Sequence, residues 1–472
     1  MRKKIVNILL ICFSLIASVY PFSYGITNIS NIILFITIYI FINKYHIFSK
    51  IKINEDKYIW LVLIFAIISR IGIVIALNKN IIQVSDFKYA LTAAMTGDFT
   101  ADYYRAFTHW ILYPAFVNVI FKIFGYSQFI ALLINAIILI MVSVLIFLIS
   151  TRIFKNKKYG LISALFYIFW PSNILYTIVF TQEHLCSLLL LLGFYTYIKV
   201  EEIHKMYKKN LLSFLAGFWL ALSAFCKNFA PVFVIAIIIY SILKFIKEYD
   251  TKKLKVTLIN TLVLLLSFIS VKQLIYTGID KLATHKVSRD SSSYYLKVGL
   301  TYGISDKKTY DNYFETLKVM NYDYEKINKF TKQEIKETIK NKNSSVREKD
   351  FFVKKAQILF NGENQRNSKL KWIKKSIINN NLIKFIDKYI IKVNEFYYAV
   401  IMFLNIIGLI YLIKTQNLKI FLTYLIIFGT ALMLILVEVQ NRYLYSLSPF
   451  FCIILNSGIL TLTKFTEKNV NK

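Results

Sequence analysis

The sequence predicts an all-α polytopic membrane protein. Hydrophobic residues make up 57% of the 472 residues and aromatic residues 16%, whereas a soluble domain has roughly 45–50% apolar residues. The apolar residues form long continuous runs, and about 20 such residues span a bilayer core as a helix. Helices are expected because a chain in lipid must satisfy its own backbone hydrogen bonds. The continuous runs exclude an outer-membrane barrel, whose strands alternate.

Basic residues are concentrated between the apolar runs. Lys and Arg number 58 and Asp and Glu 26, which gives a net charge of +32. In a soluble protein this excess would suggest nucleic acid, but short basic loops mark the cytoplasmic side of a membrane protein. We therefore expect no nucleic-acid partner, and we place both termini in the cytoplasm. The abundant Ile, Lys and Asn suggest AT-rich coding and favour a bacterial plasma membrane.

The apolar runs predict about twelve transmembrane helices. The predicted topology depends on residues 110–124, which are apolar but shorter than the roughly 20 residues that span a bilayer core. A crossing there would put the basic cluster at 152–158 outside, so we predict that 110–124 lies along the outer surface. The predicted spans are about 5–22, 26–42, 58–77, 127–150, 159–172, 174–198, 211–226, 229–247, 254–276, 391–413, 419–437 and 443–464.

Four parts follow from this topology. Residues 1–57 form two N-terminal transmembrane helices, and 58–276 form a transmembrane core with a first outer loop at 78–125. Residues 277–390 are polar and carry helical patterns, which predicts a mostly helical extracytoplasmic domain. Residues 391–472 supply three further transmembrane helices.

A few charged residues interrupt the apolar runs, where charge is costly and often functional. Glu183 is the only acidic residue from 103 to 200, and Lys227 is the only charged residue from 211 to 243. Glu438 and Arg442 are the only charged residues from 420 to 463. The topology places all four beside the loop that carries Asp86. This pattern predicts a polar site at the outer membrane boundary.

Each of these residues also has a plainer interpretation. Glu438 and Arg442, four residues apart, would pair with each other, and Lys227 and Lys272 would be interfacial lysines. Asp98 and Asp102 would be solvated or would cap helices. Glu183 would serve as a structural hydrogen-bond partner, and the adjacent His184 would be a packed polar residue rather than a ligand. For His109 a role as metal ligand is a minor alternative.

The stretch 84–125 carries Asp86, Gly97-Asp98, Tyr113-Pro114 and Phe124-Gly125 in that order. This order resembles the first outer loop of GT-C fold glycosyltransferases. The resemblance is strongest to the family 39-like membrane enzymes, which include protein O-mannosyltransferases and the lipid A aminoarabinose transferase. Further matching stretches cover about residues 58–465: 170–183, 225–227, 297–313 and 440–443. The chain departs from the family at Ser85, where an Asp is frequent, and at 110–114, which replaces a Lys-Pro-Pro element.

The resemblance implies an inverting transfer of a sugar from a polyprenyl-phosphate carrier to an extracytoplasmic acceptor. Asp86 is the candidate base for the acceptor hydroxyl, with Glu183 as a second catalytic candidate. Arg442 suits the carrier phosphate because its planar fork binds phosphate oxygens bidentately. Lys227 and Lys272 are further donor phosphate-binding candidates. Candidate contacts to the acceptor or sugar are Tyr89, Asp102, His109 and Glu438.

No cofactor is predicted. The sequence has no Walker motif and no Gly-rich dinucleotide-binding turn. The four cysteines do not have the spacing of metal ligands. The first loop has no Asp-x-Asp, so a divalent metal is possible but not predicted. The expected partners are the lipid-linked sugar, membrane lipids, and a surface glycan, lipid or protein as acceptor.

Two other functions remain open at this level. A polysaccharide polymerase or ligase acting on undecaprenyl diphosphate-linked glycans would depend on Arg and His in the large loop, here Arg289, Arg347, Arg366 and His285. A lipid-linked sugar transporter or flippase would favour charges at the bilayer midplane and helices broken by Gly or Pro. With 14 Gly and 5 Pro in the chain, the transporter is less favoured.

Overall fold

The computed structural model describes residues 8–14, 29–44, 54–248, 251–301, 307–341, 344–360, 362 and 368–470. Within these residues the chain is helical, and the β-type pairing is limited to a bridge between Ile81 and Ile377. The helices are α1 Ile29–Lys44, α2 Tyr58–Leu77, α3 Ser85–Thr96, α4 Asp102–Ala106, α5 Leu112–Phe124, α6 Gln128–Phe154, α7 Lys157–Ile168, α8 Pro171–Tyr176, α9 Glu183–Val200, α10 Met206–Ala224, α11 Ala230–Glu248, α12 Thr251–Leu282, α13 Ser292–Thr301, α14 Lys307–Val319, α15 Tyr324–Lys340, α16 Phe351–Phe360, α17 Lys369–Ser376, α18 Asn380–Phe385, α19 Ile391–Thr415, α20 Leu418–Leu436 and α21 Ser448–Val470.

Eight stretches of the described residues are long and apolar enough to cross a membrane, so the prediction of an all-α polytopic membrane protein is confirmed. They are Glu55–Asn80, Gln128–Phe154, Glu183–Val200, Ala230–Lys247, Leu254–Leu282, Asn380–Thr415, Leu418–Leu436 and Asn441–Lys464. The predicted count of about twelve is not confirmed. The predicted spans at 5–22 and 26–42 lie partly outside the described residues.

Two predicted spans differ from the eight for local reasons. The predicted span at 159–172 is divided between α7 and α8, because Pro171 starts a new helix. The predicted span at 211–226 corresponds to α10, which begins with a polar turn containing Lys208 and Lys209. Both segments are nevertheless helical, and α10 packs against α9 and α12.

Buried polar side chains fix the turn between α8 and α9. Arg70 of α2 is fully buried and donates hydrogen bonds to the carbonyl oxygens of Asn173 and Tyr167. The amide of Asn135 on α6 donates to the carbonyl oxygens of Thr177 and Val179, at 2.9 and 3.0 Å. In a membrane such bonds hold helices together because unpaired polar groups are costly. The turn that presents Glu183 is therefore held from two sides.

The segment from 277 to 390 is fastened to the membrane helices at several points. The Ile82 amide donates to the Ser376 carbonyl and the Ile378 amide to the Asn80 carbonyl, both at 2.9 Å. Lys355 is buried, and its ammonium donates at 2.7 Å to the carbonyl oxygens of Gly299 and Val437. These contacts join the segment to the first outer loop and to the end of α20.

Helix α5 has two apolar faces with different surroundings. Tyr113, Val117 and Phe121 are buried against the protein, whereas Val119 and Ile123 are exposed. With 13 residues the helix is about 20 Å long, which is short for a crossing. An exposed apolar face next to the membrane helices suits a helix lying in the bilayer interface.

Helices α19 and α21 approach closely through glycines. A Cβ at Gly458 would clash with the Leu404 carbonyl, and one at Gly408 with the Ser457 hydroxyl. Small residues allow such close packing of membrane helices.

We therefore expect Gly458→Val to destabilise the protein by about 1–3 kcal/mol, as overpacking does. The measurement is thermal unfolding of the purified protein in detergent. Gly72→Val is the matched control, because a Cβ at Gly72 on α2 meets nothing within 4 Å. Equal unfolding midpoints for the two variants would contradict the expectation.

Candidate active site

Five of the charged residues singled out in the sequence meet at one end of the helices. Asp86 lies in the first turn of α3, and Glu183 is the first residue of α9. Lys227 lies in the turn between α10 and α11, Glu438 follows α20, and Arg442 lies in the 3₁₀ turn Asn441–Leu447. The chain thus brings together side chains that are more than 350 residues apart in sequence.

Asp86 and Arg442 form the centre of this cluster. Asp86 Oδ2 lies 3.9 Å from Arg442 Nη2, with 36% of the Asp86 side chain exposed and Arg442 almost fully buried. The Arg442 guanidinium lies 5.2 Å from the ring centre of Phe87 and 5.0 Å from that of Trp372. Aromatic faces attract a guanidinium and restrict its motion. The positive charge is therefore held in one place beside the carboxylate.

Within the described ranges, the other two nitrogens of Arg442 lack acceptors. Its Nε and Nη1 are buried and find no hydrogen-bond partner among the described residues. Buried donors are normally satisfied, so such an exception needs an explanation. A buried guanidinium nitrogen without a partner can donate a charge-assisted hydrogen bond to an oxygen of a carboxylate or phosphate. This arrangement makes Arg442 suitable for binding an anion.

Lys227 and the buried Glu183 form an ion pair next to Arg442. Lys227 Nζ lies 3.1 Å from Glu183 Oε1, and the Tyr176 hydroxyl donates to Glu183 Oε2 at 2.9 Å. Both carboxylate oxygens thus have partners, which offsets the cost of burying the charge. Among the contacts that the structure describes, the ion pair of Glu183 is with Lys227 and not with Asp86, an arrangement that holds the Lys227 ammonium in place.

Tyr443 lies between the two cations. Its ring centre is 3.5 Å from Lys227 Nζ and 5.5 Å from the Arg442 guanidinium. Its hydroxyl donates to Glu438 Oε2 at 3.0 Å, and Gln440 donates to Glu438 Oε1 at 2.7 Å. The ion pair that the structure describes for Arg442 is with Asp86 rather than with Glu438.

The surroundings of Asp86 make it a stronger base than a solvated aspartate. Burial raises the pKa of Asp86 above its ordinary value, although the charges of Arg442 and Lys227 and a hydrogen bond from Tyr103 oppose that rise. The negative charge of Glu438 adds to it. A raised pKa strengthens a carboxylate as a proton acceptor once it is ionised.

A cavity of about 510 Å³ adjoins the cluster. Its polar lining includes Lys227, Lys272, Arg289, Glu438 and Tyr443. Its apolar lining includes Phe225, Phe229, Met433, Leu434 and Val437. A cavity with a cationic part and an apolar wall is suited to an amphiphile with an anionic head.

Of the remaining predicted residues, His109 and Lys272 line this cavity and Tyr89 and Asp102 do not. His109 lines it, 3.5 Å from the Tyr295 hydroxyl, and burial lowers the pKa of His109 to about 3, so the ring is neutral. Lys272 also lines it, 5.8 Å from the Tyr276 ring centre. Tyr89 is 64% exposed and Asp102 lies 3.9 Å from Arg105. Neither Tyr89 nor Asp102 is part of the cavity wall.

The structure also shows where most of the residues considered for a polymerase or ligase lie. Arg289 lines the cavity and forms an ion pair with Asp280, and Arg347 donates to the Ile339 carbonyl within its own segment. Burial lowers the pKa of His285. Arg366 lies outside the described residues. Asp98 accepts from the Thr100 amide and hydroxyl, which is a loop-capping role.

Sequence reasoning missed several aromatic residues of the site. Tyr443 follows Arg442 directly, so its position was a usable signal. Tyr103 and Tyr295 had no distinguishing pattern, and Trp372 reaches Arg442 from α17, about 70 residues away along the chain. The described residues contain no group of three or more His, Cys, Asp or Glu side chains arranged to hold a metal ion.

Residues 108–274 match the family model described as dolichyl-phosphate-mannose-protein mannosyltransferase. The match covers about a third of the chain. The predicted resemblance to this family of membrane glycosyltransferases is thereby confirmed over this segment. The matched segment contains Glu183, Lys227 and Lys272, whereas Asp86 and Arg442 lie on either side of it. No curated protein matches the chain in sequence.

Solved GT-C structures cover most of the chain at low identity. The archaeal oligosaccharyltransferase AglB from Archaeoglobus fulgidus, in complex with an inhibitory peptide and a dolichol-phosphate, is 11% identical over 88% of this chain and 51% of its own, with a TM-score of 0.44. The apo oligosaccharyltransferase from Archaeoglobus fulgidus is 12% identical over 88% of this chain and 52% of its own, with a TM-score of 0.49. ArnT from Cupriavidus metallidurans, bound to undecaprenyl phosphate, is 10% identical over 85% of this chain and 77% of its own, with a TM-score of 0.37. The chain spans about half the length of the archaeal proteins.

Proposed function

We propose that this GT-C protein is an inverting glycosyltransferase that moves a sugar from a polyprenyl-phosphate carrier to an acceptor hydroxyl. The observation that carries the proposal is Asp86 at 3.9 Å from Arg442, whose Nε and Nη1 have no acceptor among the described residues. A proton acceptor beside an anion-binding cation is the pair of groups that displacement of a phosphate carrier requires. In this proposal the site faces the extracytoplasmic side of a bacterial plasma membrane.

The proposed reaction is a single displacement. The acceptor oxygen attacks the anomeric carbon on the face opposite the carrier, and its proton passes to Asp86. The bond between the anomeric carbon and the phosphate oxygen breaks, and its electron pair leaves with the carrier phosphate. Attack from the opposite face inverts the anomeric configuration. The N–H groups of Arg442 and the Lys227 ammonium stabilise the charge that develops on the phosphate.

The 510 Å³ cavity is proposed to hold the head of the donor. Lys227 and Lys272 supply positive charge for the phosphate, and the wall from Met433 to Val437 supplies apolar surface for the start of the prenyl chain. Glu438 and the neutral ring of His109 lie in the same cavity and are proposed to contact sugar hydroxyls. Glu183, predicted as a second catalytic residue, is proposed to act through Lys227 as a positioning residue.

Tyr89 and Asp102 lie towards the segment from 277 to 390 and remain proposed acceptor contacts. Two tyrosines of that segment contact Arg105, which is three residues from Asp102. The Arg105 guanidinium lies 3.7 Å from the Tyr322 ring centre, and the Tyr324 hydroxyl donates to the Arg105 carbonyl. An acceptor that reaches Asp86 from this side would pass between the first outer loop and the outer domain.

Transfer is expected to fall as the pH is lowered, with an acid limb above the ordinary pKa of an aspartate, about 3.9. Asp86 must be ionised to accept the proton, and burial raises its pKa. The hydrogen bond from Tyr103 lowers that pKa, so Tyr103→Phe should move the acid limb to higher pH. The measurement is kcat/KM across the pH range, with the exposed Tyr126→Phe as control. An acid limb that stays in place in Tyr103→Phe would contradict the assignment of Asp86.

The assay that tests the proposed function uses the full chain purified in detergent. Radiolabelled polyprenyl-phosphate hexoses are added with a cell-envelope extract, and in parallel an undecaprenyl diphosphate-linked oligosaccharide is offered. Label that moves from the monophosphate carrier into the extract supports the proposal and identifies the acceptor by fractionation. Transfer from the diphosphate carrier alone favours the polymerase. Absence of covalent transfer from either carrier by folded protein contradicts both enzymes and favours the transporter.

A further inference from the structure

A second cavity lies at the opposite end of the membrane helices. Helix α9 starts at Glu183 in the candidate active site and ends at Val200, about 27 Å away at the rise of an α-helix. Beyond its end is a cavity of about 660 Å³, formed between the ends of α6, α9 and α11 and the turn from α19 to α20. The predicted topology places this end of the helices in the cytoplasm.

The lining of this cavity is strongly charged. It contains the cations Arg152, Lys155, Lys244, Lys247 and Lys419, and the carboxylates Glu201 and Glu202. Cations therefore exceed carboxylates by three in the wall. Such an excess in a concave site creates a positive potential that attracts anions.

The carboxylates are already engaged by part of this set. Glu201 lies 2.5 Å from Lys244 and 3.6 Å from Lys419, and accepts from the Tyr240 hydroxyl at 2.5 Å. Glu202 lies 3.4 Å from Arg152 and 3.9 Å from Lys419. The two carboxylates thus arrange the cations around the cavity without cancelling the positive excess.

The backbone conformation at two lining residues, Lys155 and Gln416, suggests that their side chains matter to the cavity. Lys155 and Gln416 end α6 and α19 in the left-handed conformation, at φ 54° and 50°. That position usually holds Gly or Asn, which adopt it at least cost. At Lys155 the chain instead carries an exposed lysine that forms no ion pair with the described residues and lines the cavity. This choice adds positive charge at the rim.

Helix ends and the positive-inside rule explain some of these cations but not their arrangement. Lys247 donates to the Gln416 carbonyl at 2.8 Å, which is the ordinary contact of a cation with a helix C-terminus. The rule requires basic residues near the cytoplasmic surface, not a cavity of this volume walled by them. Basic pockets between membrane helices on that side are suited to anionic lipid head groups.

We propose that this cavity binds the phosphate head group of an anionic membrane lipid such as phosphatidylglycerol. The phosphodiester contacts the cations of the wall, and Ile153 and Leu418 of the lining face the first part of the acyl chains. The site is separate from the candidate active site, and the proposal does not depend on the transferase activity.

The test is a titration of the full chain, purified in a neutral detergent, with phosphatidylglycerol, with phosphatidylcholine and with inorganic phosphate. Binding is followed as an increase in the thermal unfolding midpoint. Phosphatidylglycerol is expected to give a saturable increase. Lys155→Gln combined with Lys247→Gln is expected to weaken binding about thirty-fold, the loss of two lysine contacts at a membrane surface.

Lys205→Gln combined with Lys208→Gln is the matched control, because both lysines are exposed in the turn before α10 and in its first turn, outside the cavity lining. Lys155→Glu alone is a second variant, which changes one exposed side chain and should also weaken binding. An equal response to phosphatidylglycerol in wild type and both lysine pairs would overturn the proposal. An equal increase with inorganic phosphate at the same concentration would overturn the lipid as the ligand.

Discussion

Asp86→Asn is expected to lower the rate of sugar transfer by about 10²–10⁴-fold, the range that general-base catalysis contributes. The amide has almost the same size as the carboxylate but does not take up a proton at neutral pH. Because the side chain is 36% exposed and Arg442 lies 3.9 Å away, the substitution should leave the fold intact. The measurement is kcat with saturating donor and acceptor, together with a size-exclusion profile.

Asp98→Asn provides the matched control. It makes the same change in the same outer loop, at an exposed residue whose carboxylate caps the Thr100 amide at 2.9 Å. This variant should retain transfer within a small factor. Near-normal transfer by Asp86→Asn would show that another group takes the proton, and Glu438 would then be the next residue to test.

Arg442→Gln is expected to lower kcat/KM by about 10²–10³-fold, the loss typical when a preorganised donor to a developing negative charge is removed. The substitution removes the cation that faces Asp86, together with the Nε and Nη1 atoms, which find no acceptor in the described part of the chain. Arg442→Lys should recover only part of the loss, because an ammonium lacks the planar fork. The measurement is steady-state kinetics over a range of donor concentrations.

Arg347→Gln is the control for this variant, since Arg347 lies in the outer segment and bonds to the Ile339 carbonyl there. Binding of labelled polyprenyl phosphate separates the two roles of the pair. Arg442→Gln should weaken that binding, whereas Asp86→Asn should leave it nearly unchanged. Unchanged binding in Arg442→Gln would contradict phosphate recognition by this residue.

Simple energetics explain why part of the site could be predicted from the sequence. Glu183, Lys227, Glu438 and Arg442 stand out because charge is costly in long apolar runs, and the topology placed them with Asp86 on one face. The structure brings these five together. Which residue pairs with which was not predictable, because the Arg442 contact to Asp86 depends on tertiary packing rather than on the spacing of four from Glu438.

The helices were predictable to the extent that hydropathy alone defines them. The runs at 127–150 and 419–437 correspond closely to α6 and α20, because their apolar residues are continuous. The prediction was less accurate where local chemistry intervenes, as at Pro171 and in the polar first turn of α10. The contacts of α17 had no signal, since Trp372 and Lys369 reach the membrane part through long-range packing that no local pattern encodes.

The position of Trp372 limits how the segment from 277 to 390 can vary independently of the rest of the site. Its indole packs on both Arg442 and Phe87, and hydrogen bonds from Ile82 and Ile378 tie its segment to the first outer loop. The segment from 277 to 390 is therefore part of the wall around Asp86 and Arg442 rather than an attached module. For the proposed transfer reaction, exchanging that segment for a relative's would alter donor binding along with the choice of acceptor, so the two specificities would change together.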